Sequence, residues 1–563
     1  MINQVHKFWL PLTIAACAIL ASGIYYSPPL LNENLIDDDV FQHLFWMDQY
    51  SDDYYFQEDL LKEYARAVQP IGPAAIYRIS QLMISSVQLS KILPVPLFVL
   101  SVLLMYFIGN RLGGRFNGAL SAATLMATPG YLIKMEGGLP RSFALPLLLL
   151  FLLLMLHKKY VWSSVVVVVQ ALFYPLIAPV GLLVLTAGIF LPIKKVSWTG
   201  LKKSLLPMTI ACLGCLALFM HQSRSAKEAD IGSPVSSVEI RNNAEFLRGG
   251  RYPVDQTFLP AIPHNFARGT YYSRVPNIDI ALGSDLLRNV YQFSFLGLFI
   301  VVFCITLYKG LLRIDDTIHY LFIASILMYM LAYLIMLKLY IPVRQLEFAL
   351  PVWALLVQSL LISRGIALLR TRRVRIGIRI GLITGTIIVC AVMVRISILP
   401  AHFAKRELVD VSEYTALYGA LIDLPSDGLI ASHPALADPI PTVTGRRVLF
   451  NTAMALPFFD KYWSEISNRA RSFVEAYYSE DINEVIEFCN EFHVEYIIVR
   501  TSDFADAYLT KAHIAWEPYG TWVKEASANK HDFALPGIPD KCKLYNENGL
   551  FVISASTLKS DCD

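Results

Sequence analysis

Charge is what this sequence has least of. Only 17% of its 563 residues are Asp, Glu, Lys or Arg, whereas 55% are hydrophobic and the mean hydropathy is +0.48. A soluble chain of that length needs far more polar surface, so the composition excludes a water-soluble globular protein and predicts a polytopic α-helical membrane protein. A formal net charge of +3 is nearly neutral and gives no basic footprint, so no nucleic acid is expected as a partner. Internal repeats and low-complexity tracts are absent. Cysteine is sparse. Of the eight, Cys17, Cys212, Cys215, Cys304 and Cys390 lie in apolar segments and read as small core residues. Cys542 and Cys562 are candidates for a disulfide if the C-terminal part is exported, although sequence alone does not fix pairing.

What is there is a set of about eleven apolar segments: 8–26, 92–108, 117–131, 142–156, 161–174, 176–193, 205–220, 289–308, 318–337, 347–362 and 378–399. The first reads as an anchor rather than a cleaved leader, because its apolar stretch is long and a polar site follows it. Tyr174-Pro175 and Pro179 divide the long block 161–193 into two short helices. The basic loops (Arg111 and Arg115, Lys158 and Lys159, Lys194 to Lys203, Lys309 and Arg313, Arg364 to Arg379) then fall on one side. By charge bias that side is the cytoplasm, which puts the N-terminus inside and the C-terminus outside. Residues 1–399 form the expected transmembrane domain, with outer loops at 27–91 and 221–288, and residues 400–563 an extracytoplasmic α/β domain. In that last part 428–431, 447–450 and 494–499 read as buried strands, with helical patterns between the second and third. Asn548-Gly549 between two short apolar runs predicts a hairpin.

Charge reappears just beyond the first apolar segment, in Ile36-Asp37-Asp38-Asp39-Val40-Phe41-Gln42-His43-Leu44. Nine acids lie between Asp37 and Glu63, opposed only by Lys62. Adjacent carboxylates repel unless hydrated, paired or bound to a cation, so Asp38 and Asp39 are the candidate catalytic base or divalent-cation ligands, with Mg²⁺ or Mn²⁺ as the fitting metals. A helix starting near Asp39 puts Val40, Leu44 and Met47 on one face, turned to the bilayer surface or the bundle, and places His43 one turn from Asp39. A second helix is expected to start at Pro73 and to carry Ile76, Ile79 and Met83 inward.

Four basic residues fall on the outer side against the charge bias: Lys134, Arg141, Lys338 and Arg344. Arg141 and Arg344 sit in short loops stiffened by proline and are candidates to clamp a lipid-carrier phosphate, because guanidinium groups match phosphate bidentately. The bland alternative is that they snorkel to ordinary head groups. Glu136 either joins the acids or pairs with Lys134 or Arg141. In the middle outer loop Glu245, Arg248 and Arg251 surround Gly249-Gly250, either as a plain turn or as a flap over substrate.

This layout resembles the GT-C superfamily of membrane glycosyltransferases, most of all the oligosaccharyltransferase type. Asp38-Asp39-Val40-Phe41-Gln42-His43, Phe56-Gln57-Glu58-Asp59-Leu60, Gly138-Leu139-Pro140-Arg141-Ser142-Phe143, Phe173-Tyr174-Pro175 and Gly249-Gly250-Arg251 also look like uncharacterised bacterial membrane proteins of this shape. The resemblance implies about eleven transmembrane helices of GT-C type in a bacterial inner (plasma) membrane. It implies transfer of a sugar from a polyprenyl-phosphate-linked donor to an acceptor glycan, lipid or protein on the outer face. It carries the role of base or acceptor-orienting group onto Asp38 and Asp39, beside His43, Glu136, Arg141, Arg251 and Arg344 as substrate-binding candidates. The acceptor motif Trp-Trp-Asp-Tyr-Gly of the peptide-glycosylating members is missing. Ser432-His433-Pro434-Ala435-Leu436-Ala437-Asp438 stands in a comparable place, with His433 and Asp438 read as loop-capping residues. Two rival classes are a lipid-linked substrate transporter or flippase and a non-catalytic assembly subunit. Coupled transporters place ionisable groups at mid-membrane, whereas here His319 and Arg395 lie near segment ends and the charges gather outside.

Overall fold

The computed structural model describes residues 2–47, 59–191, 198–253, 314–335, 341–371, 408–425, 427–511 and 514–560, with a few single positions between 262 and 310. The expected segments 289–308 and 378–399 therefore fall mostly or wholly outside the described residues, as do Asp48, Asp52, Asp53 and Glu58.

Among the described residues five helical stretches are long and apolar enough to cross a membrane: Trp9–Leu31, Ser86–Met126, Leu205–Glu228, Asp316–Leu334 and Pro342–Ala367. Three shorter apolar stretches accompany them, Pro140–Leu156, Tyr160–Phe173 and Pro175–Phe190. The protein is an integral membrane protein. Helix α1 (Ile2–Leu31) leads to strand β1 (Leu35–Asp37) and α2 (Asp38–His43). The rest of the first loop holds α3 (Leu60–Val68), α4 (Ile71–Ser80) and α5 (Ser86–Ile92). Then come α6 (Pro94–Met126), α7 (Pro129–Met135), α8 (Ala144–Leu156), α9 (Tyr160–Phe173) and α10 (Ala178–Phe190).

Helix α6 is two helices turned at Gly113 and Gly114, whose φ of +83° only glycine adopts without strain. Asn117 Nδ2 donates to the Gly109 carbonyl at 2.8 Å, and Ser121 lies against Gly109, contacts that a straight helix would keep well apart. Between α9 and α10 the chain breaks at Tyr174 (φ −148°, ψ 87°) and Pro175, where proline removes a helical donor.

Residues beyond 408 build a five-stranded mixed sheet in the order β4-β3-β5-β7-β6, from β3 (Leu429–Ala431), β4 (Arg447–Val448), β5 (Val494–Arg500), β6 (Lys543–Glu547) and β7 (Leu550–Ser554). Helices Asp460–Tyr477 and Ile482–Glu491 lie between the second and third strands in sequence. Asn548 and Gly549 turn the β6–β7 hairpin with φ of +53° and +75°. Cys542 is disulfide-bonded, and Cys562 lies outside the described residues.

One pairing was not expected from sequence. Strand β1 runs antiparallel to β2 (Leu408–Asp410), with Asp37 opposite Leu408 and Ile36 opposite Val409. This ribbon ties the first outer loop to the C-terminal residues. The apolar face of α2 follows it: Val40, Phe41, Leu44 and Met47 are buried in one core with Ile430, Phe450 and Tyr462. That face therefore meets protein rather than the bilayer surface. A second core runs through the apolar helices. Helix α4 corrects another expectation. It begins at Ile71, with Pro73 in its first turn, and turns Tyr77 inward (0% exposed), while Ile79 and Met83 are 69% and 89% exposed.

Candidate active site

The acid cluster lies where β1 gives way to α2. Strand pairing holds Asp37 in extended backbone (φ −65°, ψ 135°), and the first helical turn brings Asp38 and Asp39 round beside it. One carboxylate oxygen from each of the three lies within 4.8 Å of the others. The Asp39 backbone N–H donates to Asp38 Oδ1 at 2.9 Å. Asp37 is the buried member at 7% exposure, while Asp38 and Asp39 are partly exposed.

Arg141, at the start of the stretch leading into α8, bridges the cluster. Its Nη1 is 2.5 Å from Asp39 Oδ2, and its Nη2 is 4.0 Å from Asp37 Oδ1. Asp37 Oδ1 is buried and has no hydrogen-bond partner. Burial pushes the Asp37 carboxyl well above the usual carboxylate range; Arg141 opposes this, and Asp39, Glu136 and Asp38 add to it. Burial also acts to raise Asp39, but Arg141 and then His43 outweigh it and hold Asp39 below the usual range. Burial thus raises one of these carboxyls, and Arg141 lowers the other.

The loop after α7 supplies the floor. Gly137 has φ +79°, and a Cβ there would stand 2.8 Å from Asp37 Oδ1. The Tyr77 hydroxyl donates to the carbonyls of Gly137 and Gly138 at 3.2 and 3.1 Å. Glu136 is 5% exposed and accepts from the Tyr25 hydroxyl at 3.4 Å. Tyr26 of the same helix donates to the Leu132 carbonyl at 2.7 Å, so α1 is packed into this loop. Glu136 is near enough to raise Asp37, which makes it a fourth carboxylate of the site.

Arg344 donates from Nη1 to Glu347 Oε2 and Oε1 at 3.0 and 3.2 Å. Lys134 Nζ is 3.1 Å from Glu347 Oε1 and donates to the Glu347 carbonyl at 3.0 Å. Arg344 also helps lower Asp39. Glu347 thus holds both basic residues, and Arg344 acts on the acid cluster.

His43 Nδ1 bonds Gln69 Oε1 at 3.0 Å. Burial lowers its pKa, with Asp39 and the Gln69 bond opposing. Arg251 comes from the middle loop. Its Nε donates to the Thr452 carbonyl at 2.9 Å, and its Nη2 reaches the same oxygen. Burial lowers its pKa, opposed by Asp438 and, further off, by Tyr252, Asp39 and Asp38. The loop is docked by backbone bonds: Glu517 N–H to the Gly249 carbonyl at 3.0 Å and Arg251 N–H to the Glu517 carbonyl at 3.3 Å. Glu245 accepts from Trp463 Nε1 at 2.6 Å and so serves packing. The segment is therefore neither a plain solvent turn nor detached; it delivers Arg251 toward the acids.

Of the two loop-capping expectations, Asp438 meets its own and His433 is corrected. His433 is 4% exposed and its side chain makes no capping bond: Tyr519 Oη lies 2.8 Å from Nδ1 and Tyr478 Oη 3.0 Å from Nε2. Because Tyr478 donates onward to the Asp503 carbonyl, the network places the proton on Nε2. Asp438 is partly exposed and accepts from the Ala453 N–H at 2.7 Å; desolvation pushes its carboxyl up to about 7, against that bond and Arg251.

Asp38, Asp39, His43, Glu136, Arg141, Arg251 and Arg344 all act on the same three acids. Asp37, the residue the sequence reading passed over, is their centre. All the donors are oxygens, and one is a buried orphan, which fits a hard divalent cation.

No family model matches the chain, and no curated protein matches it. Solved structures do. The oligosaccharyltransferase of Archaeoglobus fulgidus in its apo form is 12% identical over 92% of this chain and 72% of that one, with a TM-score of 0.53. ArnT from Cupriavidus metallidurans in the apo state is 12% identical over 98% of this chain and 99% of that one, with a TM-score of 0.52. A second ArnT structure, bound to undecaprenyl phosphate, has a TM-score of 0.49 at 10% identity over 97% of each chain. At these identities the likeness is one of fold, and that fold is the GT-C fold.

Proposed function

We propose that this GT-C-fold protein transfers a sugar from a polyprenyl-phosphate carrier to an acceptor on the outer face of the membrane. The observation that carries the reading is Arg141, set between Asp39 and Asp37 with Arg344 close by, where apolar helices end. A site for splitting a glycosyl phosphate needs two things at once: carboxylates to handle the acceptor proton, and fixed cations for the phosphate that leaves. Both are here. ArnT, whose fold this chain shares, has been solved with undecaprenyl phosphate.

In this mechanism an acceptor hydroxyl or amine attacks the anomeric carbon from the face opposite the phosphate. The C–O bond to phosphate breaks, and the acceptor proton passes to a carboxylate. Asp39 is committed to Arg141 and Asp37 is sealed from water, which favours Asp38 as the base and Asp39 as the group that orients Arg141. Arg141 and Arg344 stabilise the departing phosphate, and His43 and Arg251 border the acceptor side. A divalent cation held by Asp37, Asp38 and Asp39 would add Lewis-acid charge when bound.

The wider arrangement belongs to the same proposal: about eleven spans, a transmembrane domain over 1–399 and an α/β domain over 400–563. The N-terminus would be cytoplasmic and the C-terminal domain outside a bacterial plasma membrane. The basic-loop asymmetry supports the orientation. The disulfide at Cys542 supports an oxidising compartment for the C-terminal part.

The test is release of polyprenyl phosphate from polyprenyl-phosphate-linked sugars by the purified protein in the presence of cell-envelope acceptors. Release is expected from the wild type and not from Asp38→Asn. Equal release from both would remove the carboxylate mechanism.

A further inference from the structure

Helix α4 and the turn that follows it carry large apolar side chains that nothing among the described residues covers. Ile79, Leu82 and Met83 are 69%, 86% and 89% exposed. The opposite face of α4 is packed tightly. A Cβ on Gly72 would stand 2.6 Å from the Phe173 ring, and Tyr77 is fully buried. The turn has a fixed conformation. Met83 and Ile84 N–H groups both donate to the Ser80 carbonyl at 2.9 Å. Gln81 Nε2 donates to the Met47 carbonyl and to Ser86 Oγ. Ser85 and Gln88 then form a reciprocal capping box that starts α5. The outward set of Leu82 and Met83 is therefore imposed by hydrogen bonds on the inner side of the turn.

Their place in the fold says what meets them. Ser86, three residues past Met83, opens a membrane-crossing stretch, and Phe173, under Gly72, closes an apolar helix. Helix α4 thus lies across the rim where apolar helices leave the membrane, on the side of the acid cluster. An amphipathic helix with its apolar face outward at that level is matched by lipid acyl chains. We propose that Ile79, Leu82 and Met83 are set into the bilayer surface on the side of the active site, with lipid as their partner.

The consequence is positional. Tyr77 of the same helix donates to the carbonyls of Gly137 and Gly138, and Gly137 abuts Asp37. The depth of α4 in the bilayer therefore sets the depth of the carboxylates relative to the head-group phosphates. This inference concerns the membrane contact and stands whether or not sugar transfer is the reaction.

The experiment is tryptophan quenching of full-length protein in phosphatidylcholine–phosphatidylglycerol vesicles. The emission that Leu82→Trp adds over wild type is compared with that of Glu487→Trp, on an exposed helix face of the C-terminal sheet region. Emission added at position 82 is expected to be quenched by phosphatidylcholine brominated in its acyl chains and at least threefold less by iodide than that at 487. Iodide quenching equal to that at 487 with no effect of brominated lipid would overturn the proposal. So would shielding from both quenchers, which would mean that protein covers the turn.

Discussion

Arg141 Nη1 stands 2.5 Å from Asp39 Oδ2 and helps hold the Asp39 carboxyl below the usual carboxylate range. The same guanidinium is 4.0 Å from Asp37, too far to hold that buried carboxyl down. Burial thus raises Asp37, while Arg141 lowers its neighbour Asp39.

Replacing Asp38 or Asp39 by Asn keeps shape and removes charge. Each variant is expected to lose roughly a hundredfold or more in turnover, the usual scale for a positioned proton acceptor. Both should express at wild-type level, because the groups are partly exposed. Initial-rate measurement of polyprenyl phosphate release checks this, and full activity in the double variant would eliminate the acids.

Gly137→Ala should damage the site without replacing a charged group. The position has φ +79°, which costs a non-glycine residue about 1–2 kcal/mol, and the new methyl would press on Asp37 Oδ1. Lowered melting temperature together with lost activity is the expected pair. A Gly137→Ala protein with wild-type turnover would show that Asp37 is not needed where it stands.

If a divalent cation binds the three acids, Mn²⁺ titrated into the purified protein should raise its melting temperature. The shift should vanish in an Asp37→Asn, Asp38→Asn double variant. A shift that survives in that variant would place the ion elsewhere.

Burial lowers His433 to about 4, with Asp503 opposing, against about 6.5 for an unfolded histidine. The folded state therefore binds fewer protons than the unfolded state between those values. His433 supports folding above pH 6.5, and that support is lost as pH falls toward 4. Melting temperatures of wild type and His433→Gln across this window should converge as pH falls. Parallel curves would show that the ring does not titrate this way.

Local signals carried much of the reading. Asn548-Gly549 marked its hairpin because two positive-φ positions leave few other solutions. The break at Tyr174-Pro175 and the charged second loop were equally local. What escaped depended on contacts far apart in sequence. Asp37 and its two neighbours are alike in sequence, and only the pairing of β1 with β2, some 370 residues away, buries one and leaves two at the surface. Ile79 and Met83 were assigned inward by their apolarity. A membrane supplies an apolar exterior, so hydrophobicity does not distinguish core from lipid-facing positions. Asp438 and Arg251 lie in different loops that backbone bonds through Gly249 and Glu517 help bring together, a link with no sequence signature.

The central claim is that Arg141 binds the phosphate of a lipid carrier, and it is tested most directly by the affinity of purified Arg141→Lys protein for undecaprenyl phosphate. Lysine keeps the charge but cannot make two parallel bonds to phosphate. The account predicts binding weakened by about tenfold or more, equivalent to roughly 1.4 kcal/mol. Wild-type affinity in Arg141→Lys would contradict it and leave Arg141 as the counter-ion of Asp39 alone.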